Sequence, residues 1–211
     1  MNDFLAFATV FTLSPQEIRA LKIRDTYSLH KIVYSLFEKT RTDEDIAKGE
    51  SSGILWKELD NVDNKITILI VSDRKPHQTP MFGKVETREI KTSFLDNDMF
   101  AFEVILNPSK KDKSGKIVPL KTIKEVENWF LKKSIEQLGF DVIHEKLDIK
   151  KEQTLDFKKG DNHVVQNRFT IKGIFKVTDK EKFKQTFLNG IGRGKSFGLG
   201  LLQILPLNNS N

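Results

Sequence analysis

The stretch Met99–Phe140, MFAFEVILNPSKKDKSGKIVPLKTIKEVENWFLKKSIEQLGF, decides the fold. Apolar, β-capable residues fill Met99–Leu106, and Asn107-Pro108 ends that run, because proline cannot donate to a strand ladder. A lysine-rich loop leads to Thr122 and Glu125. Their T-x-x-E spacing is a capping box, in which a hydroxyl and a carboxylate each satisfy a backbone N–H at a helix start. Gly139 sits where the end of that helix needs a left-handed residue. Working outward, Phe140–Ile149 and His163–Val177 read as strands separated by a polar hairpin. Thr178 with Glu181 forms a second T-x-x-E box, opening a helix towards Asn189, and Gly200–Leu205 closes as a strand. The order β-α-β-β-α-β predicts an α+β fold of the ferredoxin-like (RRM-like) kind, with an antiparallel sheet and both helices on one face.

Moving back along the chain, Phe4–Phe11 reads as a strand, and Ser14-Pro15 opens a short turn or helix to about Lys22. Thr26–Lys39 is the first convincing helix, since Leu29, Ile32, Val33, Leu36 and Phe37 fall on one core-facing stripe. Gly53–Leu59 and Lys65–Ser72 read as strands joined by the turn Asp60–Asn64, and a loop with Pro76 and Pro80 follows. Lys84–Ile90 is a charged strand, and Lys91–Asp98 is the linker. This β-α-β-β-β order predicts a degenerate copy of the same fold, lacking a regular second helix. Two tandem ferredoxin-like domains with antiparallel sheets result, over 1–92 and 97–211, the second carrying a glycine-rich loop.

Composition bounds the chemistry. The 211 residues hold 35 Lys and Arg against 29 Asp and Glu, a net charge of +6, and a polyanionic partner reached through local basic patches fits that balance. Hydrophobic residues are 38% of the chain, including 16 Phe, which supports packed cores. The absence of cysteine excludes disulfides, thiolate zinc sites and a cysteine nucleophile. No apolar run approaches the ~18 residues of a membrane span. The start MNDFLAFATVF lacks the basic region of a signal peptide, so a cytoplasmic protein is expected.

The helix from Thr26 carries a second face of Tyr27, His30, Lys31 and Tyr34, with Arg24 just before it. Two phenols, an imidazole and an ammonium project along one side. Such a set suits cleavage of a phosphodiester by an internal 2′-hydroxyl: imidazole exchanges the proton, and a cation offsets charge developing on phosphorus. The competing reading is a solvated helix face whose tyrosines shield the core edge.

Gly190–Gly200, GIGRGKSFGLG, alternates glycines with Arg193 and Lys195. Gly192, Gly194 and Ser196 offer backbone approach to phosphates, and the two cations face the same ligand. A nucleotide-binding P-loop fails here. Its first glycine falls on Asn189, and the loop leaves a helix for a strand rather than the reverse, so no nucleotide cofactor is expected. A tight structural connection is the alternative, though it leaves the cations unexplained. Lys110, Lys111, Lys113, Lys116 and Lys121 surround the loop after Leu106, and Lys150, Lys151, Lys158 and Lys159 flank the 150–162 hairpin. Either group suits gripping a duplex by its phosphates or an ordinary solvated loop. The four histidines show no metal-ligand spacing, so no metal is expected.

Several of these stretches together resemble the CasE family of CRISPR-associated endoribonucleases, the repeat-processing subunit of type I-E systems. GIGRGKSFGLGLLQILP is similar to that family's C-terminal glycine motif, and Tyr27-Ser28-Leu29-His30-Lys31 to its Y-x-[LM]-H segment. Phe102–Lys110, Val118–Thr122, Trp129, Gly139-Phe140 and Gly53–Lys57 resemble further segments. The resemblance implies tandem ferredoxin-like domains that bind a CRISPR repeat hairpin, in precursor and mature crRNA. It implies metal-free cleavage at the 3′ base of the stem, leaving a 2′,3′-cyclic phosphate and a 5′-hydroxyl, and a place in a multi-protein surveillance complex. Carried over, His30 is general acid or base and Tyr27 assists it. Lys31, Arg193 and Lys195 would contact phosphates; Arg24, Lys57, Lys110, Lys121, Lys150, Lys151, Lys158 and Lys159 are the further RNA-binding candidates. Glu103 and Ile105 stand where the family often has arginines, and 73–80 and 150–162 match poorly. A non-catalytic RNA-binding subunit is the alternative function.

Overall fold

The computed structural model describes residues 3–59, 63–159 and 162–207. They form two compact units, one of residues up to Thr92 together with Ser196–Gly198, the other of Ser93–Lys195 and the chain from Leu199. No helix among the described residues is long and apolar enough to cross a membrane.

In the first unit, β1 (Phe4–Leu13) is followed by α1 (Pro15–Ala20), α2 (Thr26–Ser35), α3 (Asp43–Ala47), β2 (Ile54–Glu58), β3 (Ile66–Ser72) and β4 (Lys84–Lys91). The strands make one antiparallel sheet ordered β2-β3-β1-β4, with Phe11 opposite both Ile68 and Val85. That is the ferredoxin-like strand order, and the β3–β4 connection contains no helix where a second one belongs. Phe11, Leu13, Trp56, Ile68 and Ile70 are buried beneath Leu29, Val33, Leu36 and Phe37, the predicted stripe of α2 and its exit. Each such side chain contributes roughly 1.5–3 kcal/mol of burial, which fixes α2 on the sheet and leaves its other face outward.

Helix α2 ends four residues before the expected Lys39. The Leu36 and Phe37 N–H groups bond back to Val33 and Tyr34, a tighter turn that closes the helix. Helix α3 had no counterpart among the expected elements; a capping box between Thr42 and Asp45 starts it.

In the second unit, β5 (Met99–Leu106) leads into a hairpin of β6 (Ser109–Lys111) and β7 (Ile117–Pro119), then α4 (Ile123–Lys133). Next come β8 (Phe140–Val142), β9 (Asp148–Lys151), a hairpin of β10 (Leu155–Lys159) and β11 (Asn162–Gln166), β12 (Phe169–Val177), α5 (Lys180–Asn189) and β13 (Gln203–Pro206). The main sheet runs β13-β5-β12-β8, antiparallel throughout, with β9 also on β12. Both helices lie against one face: Phe130 of α4 meets Phe102, and Phe183 of α5 meets Phe100. Phe140 and Phe175 stack between them at 4.2 Å.

The Thr122–Glu125 capping box forms as expected. Beyond Lys133 the helix continues as one wider π-turn, Ser134–Leu138, and Gly139 ends it at φ +82°, where a Cβ would lie 2.5 Å from the Asp179 carbonyl. Three expectations change. Helix α5 is capped by the Asp179 carboxylate, which accepts from the Lys182 N–H, and not by a Thr178–Glu181 box. Phe140–Ile149 is two strands, split by a short 3-10 turn at His144–Lys146. His163–Val177 is likewise divided, so that β10 and β11 form a sheet of their own.

Candidate active site

Helix α2 begins at Asp25, whose carboxylate accepts from the Ser28 hydroxyl at 2.6 Å and the Ser28 N–H at 2.7 Å. The hydroxyl bond above all holds the Asp25 carboxyl below the usual carboxylate range. With the Leu29–Val33 stripe buried, Tyr27, His30, Lys31 and Tyr34 share the other face. Lys31 is exposed and the three rings are half-buried.

The His30 ring is held on several sides. Its Nδ1 lies 2.7 Å from the Ser196 carbonyl oxygen. A carbonyl can only accept, so Nδ1 carries the hydrogen and proton exchange falls to Nε2. The same oxygen accepts from the indole Nε1–H of Trp56 at 3.2 Å. Trp56 is 1% exposed and anchors that carbonyl from within the core. Gly198 lies close against the indole at φ +78°, where a Cβ would be 2.9 Å from the ring. Ring centroids of Tyr34, Phe197 and Tyr27 stand 4.4, 5.4 and 6.0 Å from that of His30, and the Tyr27 plane is within 13° of it. The Tyr34 hydroxyl bonds Ser52 at 2.8 Å, and the Lys31 ammonium sits 4.7 Å from the Tyr27 ring centre. An imidazole with one tautomer imposed by the backbone can take a proton at Nε2 when neutral and give one when charged. Lys31 supplies positive charge one residue along.

The remaining candidates fall elsewhere. Arg24 is exposed just before the cap of α2. Lys57, on β2, is only 9% exposed. In the second unit, Gly192 and Arg193 are exposed, and Arg193 bridges by its backbone to Asn107. Lys195 is half-buried, and its ammonium donates to the Asn189 carbonyl at 2.9 Å, capping the end of α5; burial pulls its pKa down. Gly194 packs on Leu199 and Gln166. Lys110 and Lys121 are exposed, Lys151 reaches the Lys121 carbonyl at 3.2 Å, and Lys150 pairs with Glu152 at 3.4 Å. The side chains of Lys158 and Lys159 lie outside the described residues. Glu103 is ion-paired to Lys172 at 2.6 Å, its neighbour across the sheet. Among the described residues no three His, Asp or Glu side chains converge as a metal site.

Sequence reasoning missed Trp56 and Phe197. Trp56 reads from the sequence only as strand core, and nothing local tells that residue 196 folds back onto residue 30.

A profile of the family described as CRISPR associated protein matches residues 7–206. The chain belongs to the family of CRISPR-associated proteins. Among solved structures, the fold is similar to that of Thermus thermophilus Cse3 bound to an RNA representing a pre-cleavage complex, at 21% identity and a TM-score of 0.74, covering 96% of this chain and 100% of that one. It is similar also to the CRISPR-associated protein Cas6e of Escherichia coli K-12, at 22% identity and a TM-score of 0.70, again covering 96% and 100%. A chain of a CRISPR RNA-guided surveillance complex matches at 18% identity and a TM-score of 0.68, covering 95% and 100%. No curated protein sequence matches significantly. These likenesses establish the tandem fold of this family member, with its two ferredoxin-like sheets.

Proposed function

We propose that the chain is a metal-independent endoribonuclease that cuts CRISPR repeat hairpins in precursor RNA, acting in the cytoplasm. The observation that carries this reading is the His30 ring, held by the Ser196 carbonyl with its second nitrogen assigned to proton exchange. Membership of the CRISPR-associated family and the likeness to Cse3 and Cas6e supply the substrate class.

In the reaction, the ribose 2′-hydroxyl gives up its proton and O2′ attacks phosphorus. The P–O5′ bond breaks and the leaving O5′ takes a proton, giving a 2′,3′-cyclic phosphate and a 5′-hydroxyl. Nε2 of His30 serves one of these two transfers. The Tyr27 phenol, stacked beside it, positions the reacting groups, and Lys31 offsets charge on the phosphate. The basic side chains Arg24, Lys110, Lys121, Lys150, Lys151 and Arg193 bind RNA phosphates without reading sequence. The likeness to a surveillance-complex subunit supports a place in such an assembly, with the processed RNA as shared ligand.

The test is incubation of a repeat hairpin RNA with the protein in EDTA. Cleavage to a cyclic phosphate supports the proposal, and a 2′-deoxy substitution at the scissile nucleotide abolishes it. Tight binding with the RNA intact contradicts the proposal and leaves an RNA-binding subunit.

A further inference from the structure

A second concave site lies wholly within the second unit. It is a cavity of about 220 Å³, walled by Lys110, Lys111, Ile117, Trp129, Lys133 and Arg193. Four separate segments build it. The hairpin pairs Lys111 with Ile117, α4 places Trp129 and Lys133 one turn apart, and the backbone bridge from Asn107 to Arg193 brings the glycine-rich loop alongside.

Its charge is one-sided. Among the described residues none of the four cations is in an ion pair. The carboxylate of Glu125, near enough to feel Lys110, is already committed to the capping box at Thr122. Lys133 donates to Gln137 Oε1 at 2.5 Å and stands 5.7 Å from the Trp129 ring centre, so its charge is directed by neutral partners. Burial of the ammonium lowers its pKa. Four cationic side chains on the walls of one cavity, with no carboxylate among its lining residues, favour an anion.

An indole and an isoleucine on the walls are of no use to a bare phosphate. They suit a ligand that is anionic at one end and flat and apolar at the other. A duplex does not fit a cavity of this size, whereas one splayed-out base does; single-stranded RNA is held by this pairing of aromatic wall and basic rim. We propose that this pocket binds one unpaired ribonucleotide flanking the repeat hairpin, its base against Trp129 and its phosphate among Lys110, Lys111, Lys133 and Arg193. The proposal rests on the repeat-hairpin reading above and names a further part of that substrate.

The experiment uses the full chain and repeat RNAs made uncleavable by a 2′-deoxy nucleotide. One RNA carries unpaired flanks on both sides of the stem; another is trimmed to the stem and loop. Wild-type protein should bind the flanked RNA more tightly. Trp129→Leu should weaken that binding roughly 5- to 150-fold, the range of one lost base–aromatic stack, while leaving the trimmed hairpin unaffected. Ile117→Ala, an exposed change on the pocket wall that spares α4, should show the same selectivity to a smaller degree. Tryptophan fluorescence gives a direct signal, because Trp56 is in the core and Trp129 is not: flanked RNA should quench it, and an abasic site at a single flanking position should prevent that. Equal losses on both RNAs, or no loss on either, would overturn the proposal. So would quenching by micromolar adenosine monophosphate with no difference between the RNAs, which would mark a pocket for free nucleotides. Failure of wild type to bind even the trimmed hairpin would instead defeat the functional reading beneath it.

Discussion

Replacing Gly198 by alanine tests how His30 is held. At φ +78° an L-residue costs about 1–2 kcal/mol. The added Cβ also lies 2.9 Å from Trp56 Cζ3 and 3.1 Å from Cη2, closer than carbon atoms pack. Trp56 is 1% exposed and cannot swing aside, so the overpacking adds about 1–3 kcal/mol. The protein can relieve it by moving the Ser196–Gly198 segment, which pulls the Ser196 carbonyl off His30 Nδ1. Urea unfolding should therefore show a loss of about 2–5 kcal/mol, and single-turnover cleavage of the repeat hairpin should fall in the surviving folded protein. Trp56→Phe removes the two closest atoms, so in that background Gly198→Ala should cost little beyond its backbone strain. A double-mutant cycle measures this, with coupling on the order of 1 kcal/mol or more. Strictly additive costs, or a stable Gly198→Ala protein cleaving at the wild-type rate, would show that Gly198 and Trp56 do not hold His30 in this way.

Asp25→Ala should destabilise α2 by about 1 kcal/mol, the usual cost of a lost cap. The folded state holds this carboxyl below its ordinary value, so its contribution is present above the unfolded pKa and lost as pH falls through the folded one. Unfolding curves of wild type and variant should converge in strong acid; an unchanged gap there contradicts the assignment. Arg193→Ala should weaken RNA binding and reduce the salt slope by about 0.7–0.9 for one lost phosphate contact. Lys195→Ala should act mainly on stability, since its ammonium already caps the Asn189 carbonyl; a salt-slope change equal to that of Arg193→Ala would contradict this.

Local chemistry was legible in the sequence where it acts locally. The stripe from Leu29 to Phe37 gave α2 its buried face, and the Thr122–Glu125 box and Gly139 marked the ends of the next long helix. The order of elements in both halves, read from such helix signals and from the β-capable apolar runs, pointed to the ferredoxin-like fold. Legibility ended where one local signal competes with another or where contacts are remote. Asp179 displaced Thr178 as a cap, because its carboxylate is the stronger acceptor and lies one residue nearer the helix. The run Phe140–Ile149 contains no glycine or proline to betray the turn at His144. The depth of Lys57, 9% exposed on β2, was not legible either, because alternation along a strand says which residues share a face, not how deeply each face is covered. The side-chain types around the candidate site were readable on the helix, as the face of Tyr27, His30, Lys31 and Tyr34. The groups that orient His30 come from residues 56 and 196, and their convergence is a property of the folded backbone alone.

The measurement that bears most directly on the account is the single-turnover rate of repeat-hairpin cleavage in EDTA by wild type and His30→Ala, with RNA affinity measured alongside. Proton transfer at Nε2 predicts a loss of about 10²–10⁴-fold in rate with affinity nearly unchanged. A His30→Ala protein that cleaves the hairpin at the wild-type rate would contradict it.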